Sequence, residues 1–120
     1  ETTYHLRHSS KWIIRLGDGT AESHEKVQSA LDNLWMFTNE LFEMNQIDNN
    51  ILAQKIGVDC SSIKAGWDQI IDKVLSEATL KKPENIHMTS GGREGIHTEH
   101  LGHLLSDMQY LQRAYPDAKW

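Results

Sequence analysis

The sequence predicts an all-α fold, a helical bundle of four or five helices, from three observations. Apolar residues recur at three- and four-residue intervals in several separate segments, which is the spacing of one face of an α-helix. No segment alternates apolar and polar residues as a half-buried strand would, and the sequence has no internal repeat. Glycine, proline and capping residues separate the segments. We therefore expect residues 1–120 to form a single domain or half-domain.

The first predicted helix covers residues 1–16. Its larger side chains follow one another at intervals of four: Tyr4, His8, Trp12 and Leu16. No capping residue precedes Glu1, and we therefore expect the chain to begin inside a longer helix. Residues 17–19, Gly-Asp-Gly, then interrupt the pattern.

The second predicted helix begins at the N-cap Thr20 and runs to about Met44, with Glu22 and Glu25 near its positive end. One seam of apolar residues follows three- and four-residue steps: Ala30, Leu34, Phe37, Leu41 and Met44. Three neighbours widen this face: Leu31, Trp35 and Phe42. Because so wide a face needs packing partners on two sides, we expect this helix to be central in the bundle.

Two more helices are predicted in the middle of the chain. Asp48 and Asn49 can cap a short helix that Gly57 ends. Asp59 caps the next helix, which Pro83 closes. The apolar face of that helix contains five residues: Ile63, Trp67, Ile70, Val74 and Ala78.

Residues 81–97 are a long irregular stretch, which predicts a crossover connection or a functional loop. The last helix is expected to begin at Thr98 and to stop before Pro116. Its apolar residues repeat in three- and four-residue steps: Leu101, Leu104, Met108, Leu111 and Tyr115.

Charge and composition exclude several classes of function. Seventeen acidic and twelve basic residues give a net charge of −5, which argues against binding to nucleic acid through phosphate neutralisation. The apolar runs are too short for a membrane span. The single cysteine, Cys60, cannot form an internal disulfide, which favours a reducing compartment. We therefore expect a cytoplasmic location.

Histidines and carboxylates on the last helix form the strongest metal candidate: His97, Glu99, His100, His103 and Asp107. Helical spacing allows His100, His103 and Asp107 to share one face, and imidazole with carboxylate suits zinc or non-haem iron. The same residues fit a polar surface beside the apolar seam, because the sequence identifies no ligand on a facing helix. His5 and His8 repeat the spacing and permit the same two interpretations.

Other candidate sites have weaker signals. A di-iron site in a helical bundle needs two Glu and two Glu-x-x-His pairs, whereas the sequence offers one pair, Glu94 and His97, in a glycine-rich segment. That segment, with Arg93, could hold a phosphate, but it lacks the Lys-Ser/Thr ending of a P-loop. Lys81 and Lys82 could meet an anionic partner or simply end a helix. The four tryptophans are expected to be core and interface anchors.

Several blocks of the sequence resemble a known family. These blocks are, in order, YHLRHS at 4–9, RLGDGTAESH at 15–24, IGVD at 56–59, VLSEATL at 74–80, GREGIHTEHLG at 92–102 and MQYLQRAYP at 108–116. Across its whole length the chain resembles the C subunits of bacterial phenylacetyl-CoA oxygenases (epoxidases), the PaaC family of phenylacetic acid degradation proteins.

The resemblance implies a ferritin-like bundle, of which this chain is the C-terminal half. It implies membership of a monooxygenase complex that epoxidises the ring of phenylacetyl-CoA with dioxygen, using electrons from NADPH delivered by a reductase subunit. The di-iron cofactor belongs to the catalytic A subunit of that complex. The C subunit is its structural partner, so the resemblance implies no catalytic, cofactor-binding or metal residue in this chain. The alternative is a metal-dependent enzyme that uses the histidine cluster of the last helix.

The expected partners are the A subunit and the other subunits of the complex. Without further helices to cover its wide apolar faces, the chain is expected either to self-associate or to be one piece of a nicked subunit. The contact surface should be apolar with aromatic anchors.

Overall fold

A computed structural model of the chain describes residues 1–84 and 86–119. Those residues contain five α-helices: α1 (Thr2–Gly17), α2 (Ala21–Leu34), α3 (Gln46–Ala53), α4 (Lys64–Glu77) and α5 (His100–Ala114). Short 3-10 turns occur at Trp35–Phe37, Asn39–Phe42, Cys60–Ile63 and Gly92–Glu94. No strand occurs in the described residues, and the prediction of an all-α fold is confirmed.

The chain divides into two compact units. The first unit is Glu1–Thr89 and contains α1 to α4. The second unit begins at Ser90 and contains α5. Within the first unit, α1 packs against both α2 and α4.

The second helix ends ten residues earlier than the sequence predicts. Its start is as expected, because the Thr20 hydroxyl accepts a hydrogen bond from the Ser23 N–H at 3.2 Å. Its end lies at Leu34, whereas the apolar spacing predicted a helix continuing to Met44. Two 3-10 turns, Trp35–Phe37 and Asn39–Phe42, occupy most of the segment that follows Leu34.

Aromatic packing explains this early end. The turns bring Phe42 back against Trp67 of α4, with ring centroids 5.3 Å apart and the rings nearly perpendicular. The Trp35 ring also contacts Trp67, with ring centroids 5.7 Å apart and the rings tilted by 40°. The Thr38 hydroxyl donates to the Trp35 carbonyl at 2.8 Å and supports the turn. Burial of Phe42 in this cluster therefore overrides the helical spacing.

The predicted seam of this segment is also corrected. Leu34 and Leu41, expected to face the core, are 62% and 58% exposed. The residues expected only to widen the seam, Leu31, Trp35 and Phe42, are the ones that pack inward. A periodic pattern identifies an apolar stripe but does not determine which edge of it meets a neighbour.

The cap of α3 differs from the prediction, which assigned it to Asp48 and Asn49. Asn45 is the N-cap, and its side-chain oxygen accepts from the Asp48 N–H at 3.0 Å. The Asp48 carboxylate in turn accepts from the Asn45 N–H at 2.9 Å. This reciprocal pair satisfies two backbone donors and starts the helix early. The helix also ends before Gly57, because Lys55 adopts a left-handed conformation with φ 59°.

Asp59, predicted to cap the helix itself, instead caps the 3-10 turn Cys60–Ile63. The helix α4 begins after that turn, at Lys64, without a side-chain cap. The Asp59 carboxylate accepts hydrogen bonds from the backbone N–H and the hydroxyl of Ser61 at 2.9 and 2.6 Å. These bonds lower the pKa of Asp59 below its ordinary value.

The end of α4 comes before Pro83, at a reversal centred on Thr79. Thr79 has φ 59°, an uncommon conformation for a β-branched residue. The N–H of Leu80 donates to the Leu75 carbonyl at 2.9 Å, and the Thr79 N–H donates to that of Ser76 at 3.2 Å. This pair of bonds is a Schellman motif, which brings Leu80 against Leu75.

The core of the first unit forms around this reversal. Leu75, Ala78 and Leu80 are buried, and side chains of α1, α2, the following 3-10 turn and α4 pack against them: Ile14, Val27, Leu31, Trp35 and Ile71. Ala78 is fully buried because the C-terminal end of α1 lies directly on it at Gly17.

The second unit follows the predicted order of loop and helix. Gly91 and Gly95 have φ 92° and 88°, so the chain needs glycine at both turns of the loop. The last helix starts at His100, two residues after the predicted Thr98, and ends before Pro116 as expected. Several side chains of its apolar seam remain more than half exposed: Leu104, Met108, Leu111 and Tyr115.

Candidate functional site

The histidine cluster of the last helix lies on exposed backbone. His97 and Glu99 precede α5, whereas His100, His103 and Asp107 lie on it, and all five are exposed. Among residues 1–84 and 86–119, no three His, Cys, Asp or Glu side chains are close enough to hold one metal ion. The metal hypothesis for this cluster therefore stays a prediction.

We expect purified protein, prepared without chelator or a metal-binding tag, to contain almost no zinc or iron per chain. Isolated histidines on one exposed helix supply too few ligands for a closed tetrahedral or octahedral site. Elemental mass spectrometry measures this ratio. A stoichiometric metal that is lost in His100→Ala would support the enzyme alternative and contradict the structural assignment.

Backbone N–H groups of the glycine-rich loop donate hydrogen bonds to carbonyl groups of the same loop. The N–H groups of Glu94 and Ile96 both donate to the Gly91 carbonyl at 2.9 Å, and the Gly95 N–H donates to Gly92 at 3.4 Å. A phosphate cradle needs such groups directed at the ligand. The loop geometry therefore favours a connection over an anion site. The Glu94 and His97 pair also lies outside any α-helix.

Lys82 is held in the first unit by charge and aromatic contacts. Its ammonium donates to Asp72 at 2.8 Å, lies 3.5 Å from Asp68 and stands 5.4 Å over the Trp35 ring. The hydrogen bond to Asp72 raises the pKa of Lys82 above its ordinary value. Hydrogen bonding from Lys64 and, further, from Lys82 lowers the pKa of Asp68. The predicted basic spot is thus partly neutralised.

These pKa shifts predict a pH window for the cluster. The lowered pKa of Asp68 stabilises the fold above about pH 4, and this contribution is lost as pH falls through the folded-state pKa. The raised pKa of Lys82 stabilises below about pH 10 and is lost as pH rises further. We expect Lys64→Met to lower the urea midpoint at pH 7 by a small amount, with the difference from the parent shrinking towards pH 2.5. Lys73→Met, on the same helix, is the control, and an undiminished difference in acid would contradict the assignment.

The tryptophans divide into core and surface residues. Trp35 and Trp67 pack with Phe42 inside the first unit, as expected for core anchors. Trp12 is 47% exposed on α1. Trp120 lies outside the described residues.

Trp12 belongs to a continuous stripe of rings on the exposed face of α1. Tyr4 stacks on His8 with centroids 5.8 Å apart, and His8 meets Trp12 edge-on at 6.4 Å. The guanidinium groups of Arg7 and Arg15 lie over Tyr4 and Trp12 at 5.7 and 5.4 Å. We call these five residues the α1 stripe. Cation–π contacts hold its arginines against the rings while leaving their charge accessible.

The charge of α1 distinguishes it from the rest of the chain. Arg7, Lys11 and Arg15 are all exposed, and α1 contains no acidic residue, although the whole chain has a net charge of −5. Tyrosine, tryptophan and arginine are the residues that most often dominate protein–protein contacts. The four-residue spacing of the rings does not show that α1 lacks acidic residues. A count of aspartate and glutamate along the sequence does show it.

A second feature of the first unit is an apolar groove of about 360 Å³ between α1, α2 and α4. Twelve residues line it, and all but Thr38 are apolar. Its walls include Ile13 of α1, Leu34 of α2 and Val74 of α4, and Leu34 remains 62% exposed. We call this feature the apolar groove. It lies on the side of α1 away from the α1 stripe, because Ile13 and the stripe occupy opposite helix faces.

Comparison with known proteins assigns the chain to a family. The model of the phenylacetic acid catabolic protein family, PaaA_PaaC, matches residues 1–120. The chain belongs to this family. It is 44% identical over 120 residues to the C subunit of 1,2-phenylacetyl-CoA epoxidase from Escherichia coli (strain K12), and is a homologue of that protein. The resemblance noted in the sequence is thereby confirmed.

The match covers the whole of this chain but only part of the E. coli protein. It covers 100% of this chain and 48% of the E. coli protein, so the chain spans about half the length of the curated relative it matches. Within the described part of the chain, none of the helices has the length and apolarity that crossing a membrane requires.

Proposed function

We propose that the protein is a structural, non-catalytic C-type subunit of a phenylacetyl-CoA monooxygenase that forms a ring epoxide during aerobic phenylacetate catabolism. The observation that carries this proposal is the alignment of the whole chain with the C subunit of the E. coli epoxidase. Its fold would be the C-terminal half of a ferritin-like bundle formed by residues 1–120. The all-helical architecture and the family support that assignment.

In this proposal the chemistry belongs to a separate A subunit that holds the di-iron cofactor. Dioxygen supplies the epoxide oxygen, and NADPH supplies electrons through a reductase subunit. This chain contributes binding surface, and its role is to keep the A subunit folded and correctly assembled. The expected location remains the cytoplasm.

The α1 stripe is the proposed contact with the A subunit. Tyr4 and Trp12 supply large apolar areas with little loss of side-chain entropy, and Arg7 and Arg15 supply charge at the rim. The absence of any acidic residue in α1 favours an acidic partner surface. The α1 stripe is therefore complementary to a partner surface that has apolar pockets and carboxylates.

The experiment is co-expression of the A subunit with and without this protein. We expect the A subunit alone to be less soluble and to unfold at a lower temperature, because binding stabilises only the folded state. An A subunit with the same yield and the same thermal midpoint in both preparations would refute the structural role.

A further inference from the structure

A second cavity of the first unit lies where the 3-10 turns after α2 pack against α4, and its volume is about 140 Å³. The rings of Trp35, Phe42 and Trp67 line it. These rings also contact one another, since Trp35 and Phe42 both pack against Trp67. We call this feature the aromatic cavity. Because each ring is held by its neighbours, the aromatic wall is formed before any ligand enters.

The volume and walls of the aromatic cavity suit a single aromatic ring. A protein cavity of about 150 Å³ holds one benzene molecule, and the aromatic cavity is nearly as large. A flat ring can stack on Trp35 or meet Trp67 edge-on, and these are the two arrangements that aromatic pairs prefer. Met88 also lines the cavity, and its thioether can contact the edge of a bound ring. A ligand with two fused rings would exceed this volume.

Charged groups meet beside the aromatic wall. The lining of the cavity includes two ammonium groups and one carboxylate, those of Lys64, Lys82 and Asp68, with a net charge of +1. The Asp68 carboxylate lies 2.7 Å from the Lys64 Nζ and 3.5 Å from that of Lys82, so it holds both cations together. The same nitrogen atoms lie 5.3 Å from the Phe42 ring centroid and 5.4 Å from that of Trp35. Both cations are therefore fixed next to the rings.

These two cations can bind an anionic group. An ammonium group has three N–H donors, and Lys64 donates one of them to Asp68 at 2.7 Å. Lys82 donates one to Asp72 at 2.8 Å. Each lysine can therefore also donate to a ligand carboxylate that lies beside the rings. Such charge-assisted hydrogen bonds are stronger than those between neutral groups.

Charge distinguishes the aromatic cavity from the apolar groove. The two features share Trp35, Thr38 and Trp67, but none of the described residues that line the groove is charged. Small-molecule sites combine apolar walls with a few polar groups that orient the ligand. The aromatic cavity has both parts, whereas the apolar groove has only the first.

We infer that the aromatic cavity binds a small aromatic carboxylate, a single ring joined to an acid group by a short linker. The ring lies against Trp35 and Trp67, and the carboxylate accepts hydrogen bonds from Lys64 and Lys82. The bound acid joins α4 to the 3-10 turns, because the site takes residues from both. This site belongs to the chain itself and needs no A subunit, so it goes beyond the proposed structural role.

The test uses phenylacetate as the probe and protein labelled with carbon-13 at its methionine methyl groups. Met88 lines the cavity, whereas Met108 lies on α5 in the second unit. We expect the Met88 resonance, assigned with Met88→Leu, to shift saturably with Kd of about 1 mM, while Met108 does not shift. The amine 2-phenylethylamine, which has the same ring and the opposite charge, should bind about tenfold more weakly or worse. Acetate, which has no ring, should cause no saturable shift.

The decisive variant is Lys82→Met, because it removes one ammonium group and keeps an apolar side chain over Trp35. We expect it to raise the Kd for phenylacetate about tenfold, whereas Lys82→Arg, which keeps the charge, should retain most of the affinity. Lys73→Met is the matched control, since Lys73 lies on α4 and does not line the cavity. Thermal unfolding of each variant without the probe checks that the comparison is made on folded protein.

Four outcomes would overturn the inference. One is the absence of a saturable shift at Met88, and another is equal affinity for phenylacetate and 2-phenylethylamine. The third is an equal Kd for Lys82→Met and Lys73→Met. The fourth is a loss of affinity in Leu34→Asn as large as that in Lys82→Met, since Leu34 lines only the apolar groove and the probe would then bind there. None of these measurements contains an A subunit, so their failure is distinguishable from failure of the proposed function.

Discussion

Gly17→Ala is expected to destabilise the first unit by about 3 kcal/mol. A Cβ atom at this position would lie 2.5 Å from the Ala78 carbonyl oxygen and 2.9 Å from the Ala78 Cβ. Ala78 is fully buried in the reversal that ends α4, so neither helix end can move without disturbing the core. The Gly17 carbonyl also accepts a hydrogen bond from His24 at 2.7 Å, which fixes its position further.

The matched control is Gly66→Ala, which should have the opposite sign. Gly66 lies in the exposed part of α4, and a Cβ there would meet no atom within 4 Å. Alanine is favoured over glycine in a helix by about 0.5–1 kcal/mol, so the variant should be slightly more stable than the parent. Urea unfolding followed by circular dichroism measures both values. Equal midpoints for Gly17→Ala and the parent would mean that the two helix ends are not packed as described.

Combined replacement of Tyr4 and Trp12 by alanine is expected to reduce affinity for the A subunit by about a hundredfold or more. The two residues supply the aromatic area of the α1 stripe, and both project from the face opposite the core. Removing them should leave the chain folded, because neither belongs to its core cluster. Titration of the A subunit with the variant, followed by calorimetry, gives the loss directly.

Tyr110→Ala and Tyr115→Ala together form the control for this pair. Both tyrosines are exposed on or next to α5, at 67% and 60%, and their replacement removes comparable aromatic surface from the second unit. Their loss should leave the affinity nearly unchanged. In the proposed contact Arg7, Lys11 and Arg15 attract the partner electrostatically, so the parent complex should also weaken as salt increases. If the Tyr4 and Trp12 variant bound the A subunit with unchanged affinity, the α1 stripe would not be the contact surface.

The helices that could be predicted from the sequence are those in which local and tertiary preferences agree. In α1 and α5 the apolar spacing and the turn residues give the same boundaries, and the structure places each within a few residues of its prediction. The Thr20 cap could also be predicted from the sequence, because its hydrogen-bond partner Ser23 is only three residues away.

The remaining errors arise where contacts distant in sequence decide the local structure. Phe42 leaves the helical path because Trp67, twenty-five residues later, offers it an aromatic surface. The left-handed Thr79 carries no turn signal of its own, and its hydroxyl donates at 3.4 Å to the carbonyl of Gly17, sixty-two residues earlier. Spacing alone predicts neither of these reversals.

The candidate surfaces were predictable only in part. The four-residue spacing of Tyr4, His8 and Trp12 was visible in the sequence, but their exposure depends on which face of α1 packs against α2 and α4. The apolar groove was not predictable, because it is formed by the edges of three helices whose relative positions periodicity does not specify. Leu34 illustrates this, since its place in the seam suggested burial.

The measurement that tests the central claim most directly is phenylacetyl-CoA epoxidation by the A subunit, reductase and remaining subunits, with and without this protein, alongside the iron content of each separated chain. The proposed structural role predicts that iron stays with the A subunit and that activity is lost, with A-subunit aggregation, when this protein is omitted. Undiminished activity in its absence, or stoichiometric iron bound to this chain, would contradict the account.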